Sequence, residues 1–194
     1  MKFAMRKEPE RAGAKGNLVR RFGGDQRGLA AIEFAMIFPL MILLFLGSVE
    51  FSQGLTVDRR VTQVASSTAD LVAQFEQLSS ADVDDIIDIG QLLLGGFDTS
   101  ELKVTIISVS TDADGDATVD WARNEAGADG GYTAGEDYTA LPDDLLGPLS
   151  SVIIAKASYN FVPTVGTFLK EGIELSETFY LRPRRSLKVA LVNG

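Results

Sequence analysis

The 194-residue sequence has no cysteine and no histidine. The first absence excludes disulfides and thiolate nucleophiles. Together they exclude Cys/His zinc sites and a Ser-His-Asp triad. Catalysis by carboxylates alone remains possible. Cysteine-free chains occur on both sides of a membrane, so this absence does not assign a compartment. Basic residues are scarce beyond the N-terminus. Residues 1–28 hold 8 Lys/Arg against 3 Asp/Glu, a balance of +5, and the rest of the chain carries −14. A strongly acidic bulk argues against nucleic-acid binding, which needs a basic surface. Lys and Arg resist translocation, so the asymmetry predicts a leader that stays inside and a bulk that lies outside.

Leu29 to Val49 is a 21-residue apolar run that can cross a hydrocarbon core about 30 Å thick. Glu33 is its one charge. A carboxylate in hydrocarbon is expensive and is read as functional by default. A cleaved secretory signal would have a shorter core, no acidic residue and a small-residue cleavage site. This run is longer, carries Glu33 and continues into helix-compatible sequence. Pro39, in mid-run, removes one helical hydrogen bond and predicts a kink. Glu50 follows the run, where a carboxylate reaches headgroups and water.

Beyond the run, Val57, Val61, Val64, Thr68, Leu71, Phe75 and Leu78 recur at steps of 4 and 3. That is an apolar seam of about three heptads with one polar member. It predicts a helix through residue 79, packed on its own domain, on a partner helix, or on both. Ser79 or Ser80 then offers an N-cap, with Asp82, Asp84 and Asp85 in the first turn. Val83, Ile86, Ile87 and Leu94 share a face, and Gly95-Gly96 ends this second helix. The aspartates are most simply capping groups.

Residues 102–110 and 117–125 read as two strands of a hairpin around TDADGDA. Residues 126–144, rich in Gly, Ala and Asp, read as a long loop, exposed or carrying contacts. Residues 151–163 give a third strand and 174–186 a fourth, with Pro183 marking an edge or a strand end. The expected fold is α+β: a long N-terminal transmembrane and amphipathic helix, a short second helix and an antiparallel sheet of about four strands. The expected organisation is a basic cytoplasmic leader at 1–28, a transmembrane helix at 29–51, amphipathic periplasmic helices at 52–96 and a periplasmic β-rich domain at 97–194.

Asp112, Asp114, Asp116 and Asp120 resemble part of a calcium loop. Gly115 comes too early, and Arg123 stands at the twelfth position, where a glutamate is needed. An Asp-Gly turn explains the same residues. No Gly-Lys-Ser/Thr follows the glycine-rich stretches, so no phosphate loop is present. Arg182, Arg184 and Arg185 read as a solvated strand end. Trp121 and Tyr180 read as core or interface aromatics. An enzyme working through Asp112–Asp120 or Glu136-Asp137 lacks a visible acid–base pair. No cofactor or metal is expected.

Three stretches resemble a TadE-like pilus assembly protein, a minor pilin or pseudopilin of the tight-adherence type IV pilus system. They are RGLAAIEFAMIFPLMILLFLGSVEF at 27–51, ISVSTDADGDATVDWAR at 107–123, and SVIIAKASYNFVPTVG with LSETFYLRPRRS toward the C-terminus. The first carries the most specific likeness. The resemblance implies cleavage after Gly28 by a prepilin peptidase, so that Leu29 becomes the N-terminus and Glu33 the fifth residue. Glycine suits a cut that requires close backbone approach. The resemblance also implies that Glu33 pairs with the N-terminal amine of a neighbouring subunit and sets axial register. Glu33-Phe34 differs from the Glu-Tyr common in the major pilin, in keeping with a minor component. The 28-residue leader is long, and Leu29 replaces the aromatic residue first in many pilins. The implied partners are the prepilin peptidase, other pilins, the inner-membrane platform and membrane lipid. The alternative is an uncleaved, signal-anchored periplasmic scaffold or binding protein.

Overall fold

A computed structural model describes residues 27–142, 145–163, 166 and 171–192. The leader up to residue 26 lies outside the described residues. The first element is helix α1 (Arg27–Ala73). Strand β1 (Gln77–Ser79), helix α2 (Ser80–Leu92) and a 3-10 turn (Thr99–Glu101) follow. Then come β2 (Leu102–Thr111), β3 (Ala117–Asn124), β4 (Ser151–Phe161), β5 (Ile173–Leu181) and β6 (Ala190–Val192). The chain divides into two compact units, residues 1–45 and 46–194. The α+β class, the long helix followed by a short one, and the four antiparallel strands are as the sequence predicts.

In the second unit, β2–β5 form one antiparallel sheet in the order β3-β2-β4-β5. β5 is an edge and ends at Leu181, two residues before Pro183. Both faces of the sheet are covered. On one face, Val57, Val61, Val64 and Val72 of α1 and Val83, Ile86 and Ile87 of α2 pack with Val104, Ile106, Trp121, Ile153 and Phe161. On the other face, Ile107, Val109, Val119, Val152 and Ile154 pack with Tyr138, Leu141 and Leu146 from the connection between β3 and β4. Two-sided burial is why β4 opens with five consecutive buried residues instead of alternating.

The predicted seam is half right. Val57, Val61, Val64 and Thr68 are buried, as is Leu78, but Leu71 is only partly buried and Phe75 is exposed. The helix ends at Ala73, and Leu78 belongs to β1. After Thr68 the stripe passes to Val72, because a straight helix turns every 3.6 residues and drifts off a 3.5-residue heptad. The face packs on its own domain. α2 starts as predicted. Ser79 is the N-cap, with its hydroxyl accepting from the Asp82 amide and the Asp82 carboxylate accepting from the Ser79 amide.

The loop at 126–142 is more ordered than its composition suggests. Gly135 and Tyr138 donate to the Val119 and Ala117 carbonyls at 2.8 Å, and Val119 donates back to Glu136 at 2.9 Å. These bonds cover the outer edge of β3. Asp143 and Asp144 lie outside the described residues. The small parallel sheet of β1 and β6 was not predicted. Three-residue strands are too short to show a period.

The helices approach closely at Gly90. A Cβ there would lie 2.7 Å from Thr68 Oγ1, and the Thr68 hydroxyl has no hydrogen-bond partner among the described residues. Gly90→Ala gains about 1 kcal/mol of helix propensity. It also forces a clash that costs about 1–3 kcal/mol. The expected net is destabilisation in denaturant unfolding, with Thr68→Ala restoring most of it. A Gly90→Ala protein more stable than the parent would show that this contact is loose.

Candidate functional site

The first unit contains every residue that the resemblance marks. Gly28 lies in the first turn of α1, and a Cβ there would meet nothing within 4 Å. Leu29 is 60% exposed, Glu33 is exposed, and Phe34 stacks at a tilt on Phe38 with ring centroids 5.3 Å apart. Pro39 is inside the helix and offers no N–H to the Ala35 carbonyl four residues earlier. All the large apolar residues from Leu29 to Phe45 are exposed. A helix this apolar and this exposed among the described residues is compatible with a single-pass membrane anchor. Leu29 and Glu33 are four residues apart and lie on one helix face.

The carboxylates suggested for calcium or catalysis do not converge. Asp112 accepts the amides of Asp114, Gly115 and Asp116, each at 2.9 Å, and so closes the hairpin turn itself. Gly115 has φ +94°, which suits a residue without Cβ. Asp120 is the extra residue of a β-bulge opposite Ser108 and Val109. It accepts from Ser110 Oγ at 2.9 Å and Lys188 Nζ at 3.0 Å. Asp137 bridges to Thr118, and Glu136 accepts from the Thr133 amide at 3.3 Å. Among the described residues no three acidic side chains are grouped to hold a metal ion. The carboxylates of Asp112, Asp120 and Glu136 serve a turn, a bulge and a loop, and Asp137 takes part through its backbone.

Other side chains depart from expectation. Glu50 is 2% exposed instead of solvated. It lies on the stripe that continues through Gly54, Val57 and Val61, so it faces its own domain. Asp84 is not a capping group. It forms a two-pronged ion pair with Arg123 of β3, whose Nη2 lies 2.6 Å from Asp84 Oδ2. The hydrogen bond from Arg123 holds the Asp84 carboxyl below the usual aspartate value. Arg184 is not merely solvated. Its amide donates to the Ala73 carbonyl at 2.9 Å, and its guanidinium pairs with Asp70, so it closes the end of α1. Arg182 donates to the Leu145 carbonyl at 3.0 Å. Trp121 is a core residue whose indole N–H donates to the Val189 carbonyl at 2.8 Å. Tyr180 packs at the margin of the second core.

Sequence reasoning did not single out Lys156. It donates to the Tyr132 hydroxyl at 2.7 Å and lies 4.9 and 5.6 Å from the Tyr132 and Tyr138 ring centroids. A lysine within an apolar strand is the signal that could have flagged it. It pins the 126–142 connection onto the sheet. Nothing in its surroundings forms a reacting pair.

Residues 28–70 match the family model of TadE-like proteins. No curated protein and no solved structure matches the chain. The matched span contains Gly28, Leu29, Glu33, Phe34 and Pro39. It continues through the buried stripe to Asp70, the partner of Arg184. The N-terminal segment is thus similar to TadE-like proteins.

The Asp84–Arg123 pair gives a pH test. The folded pKa of Asp84 is depressed, so its contribution is complete above the unfolded value and fades as pH falls through the folded one. The pair is partly exposed, so that contribution is about 1 kcal/mol or less. The stability margin over Asp84→Asn should hold from neutral pH to about 5 and vanish in stronger acid. Unfolding of the detergent-solubilised chain at several pH values measures it. A margin independent of pH would contradict the pairing.

Proposed function

We propose that the chain is a minor pilin or pseudopilin of a tight-adherence pilus and has no enzymatic role. The observation that carries this reading is the coincidence of three features on one helix. They are the family match, the Gly28-Leu29 junction with Glu33 four residues after Leu29, and large apolar side chains exposed from Leu29 to Leu44. In this reading the basic leader is cytoplasmic, Leu29–Val49 spans the inner membrane and the acidic domain is periplasmic. Prepilin peptidase cuts after Gly28, and Leu29 then carries a free amine.

Glu33 supplies the matching charge. A carboxylate and an ammonium in hydrocarbon are each costly alone and far less so together. The pair therefore favours the one axial register in which a subunit's Glu33 meets a neighbour's Leu29 amine. Phe34 and Pro39 shape the surface that neighbouring helices meet. The partners are the peptidase, other pilins, the inner-membrane platform and lipid.

The competing reading is an uncleaved, signal-anchored scaffold, for which Glu33 is only a burden on insertion. Glu33→Gln separates the two. Removing one member of a buried pair costs about 3–5 kcal/mol. Assembled pili should fall by more than about tenfold, while insertion and the amount of protein in the membrane stay unchanged. Normal pilus output from Glu33→Gln cells would contradict the pilin reading and favour the scaffold.

A further inference from the structure

A second apolar surface lies beside the end of the apolar run. Phe51 and Leu55 of α1 are 68% and 43% exposed, and Val162 and Ile173, at the two ends of the β4–β5 connection, are 55% and 41% exposed. Phe51, Leu55 and Ile173 line one cavity of about 290 Å³ with Gly54, Phe161 and Leu175, and Glu50 and Asp58 complete its lining. The three segments therefore meet at one end of the second unit. Contiguous exposed apolar surface marks an interaction site more often than chance.

The helix sets the level of this surface. At about 1.5 Å per residue, Phe51 lies about 3 Å beyond Val49, and Leu55 about 9 Å beyond. A Cβ on Gly54 would lie 3.5 Å from the Phe161 ring, so the end of β4 stands level with Gly54, about 8 Å beyond the run. A headgroup layer is about 5–8 Å thick. The connection that leaves β4 at this level reads VPTVGTFLKEG, with Val162, Val165, Phe168 and Leu169 against one Lys and one Glu. Glu171 and Glu174 are exposed beside it and limit how deep it can sit.

We infer that Phe51, Leu55, Val162 and Ile173 form a lipid-contacting surface, which rests on the headgroup layer of the bilayer that the anchor crosses. The inference relies on the anchor reading of Leu29–Val49. A single helix leaves a domain free to swing about its exit point. A second, shallow contact on the β4–β5 side would fix which face of the domain is turned toward neighbours in the membrane.

The absence of native cysteine makes the test direct. Val162→Cys and Ile173→Cys, each carrying an environment-sensitive dye, are compared in the full chain in phosphatidylcholine vesicles. Leu43→Cys reports the apolar run, and Leu187→Cys, at a side chain 86% exposed, reports water. Headgroup nitroxides should quench the dyes at 162 and 173 at least several-fold more than at 187, and more than deep acyl-chain nitroxides do. Iodide should quench them less than at 187. Iodide quenching equal to Leu187 would overturn the inference, and so would protection from both iodide and nitroxide, which signals cover by protein. If Leu43 keeps its deep quenching in those cases, only the surface contact fails. If Leu43 loses it too, the anchor reading fails and the surface contact with it.

Discussion

The soluble unit depends on one packing contact, the stripe of α1 from Val57 to Val72 against α2 and the sheet. Fully burying a side chain of this size is worth about 1.5–3 kcal/mol, and Val57, Val61, Val64 and Val72 are all fully buried. The stripe also sets positions. It brings Thr68 against Gly90, which fixes the approach of α2. It ends at Ala73, where the Arg184 amide takes a terminal carbonyl that the helix cannot satisfy. Trp121 lies in the same core and donates to the Val189 carbonyl, which holds the C-terminal segment near β1. Helix, sheet and C-terminus meet in that core.

The same helix works under two rules along its length. Before residue 46 its large apolar side chains point outward on every side. From Glu50 onward one face is buried and the other carries charge, including Asp58, Arg59 and Asp70. A helix apolar all round suits lipid, and a helix apolar on one face suits a water-exposed domain. Glu33 and Glu50 invert the usual placement of charge in the two regions. Glu33 stands in the apolar stretch, and Glu50 lies beneath the domain surface.

Much of this was legible in the sequence. The apolar run with Glu33, the Ser79 cap and the four long strands follow from local composition and period, which report strongly over eight or more residues. The misses have two causes. The predicted seam reaches Phe75 and Leu78 because a 4-3 spacing fits a heptad and a plain helix equally well over two turns. Asp84, Arg184, Glu50 and Lys156 take their roles from partners distant in sequence. Asp84 and Arg123 are 39 residues apart, and Arg184 and Asp70 are 114 apart. Neither separation leaves a trace in composition. Residues 126–142 are a loop carrying contacts, and its backbone bonds to β3 and the hydrogen bond from Lys156 to Tyr132 join it to residues that composition does not relate.

The proposed mechanism turns on whether Leu29 ever bears a free amine. The mature N-terminus, read by mass spectrometry from membranes with and without the host's prepilin peptidase, tests this directly. The account predicts a peptide beginning at Leu29 only when the peptidase is present. An intact leader in both samples would contradict it, because Glu33 would then have no neighbouring amine to meet.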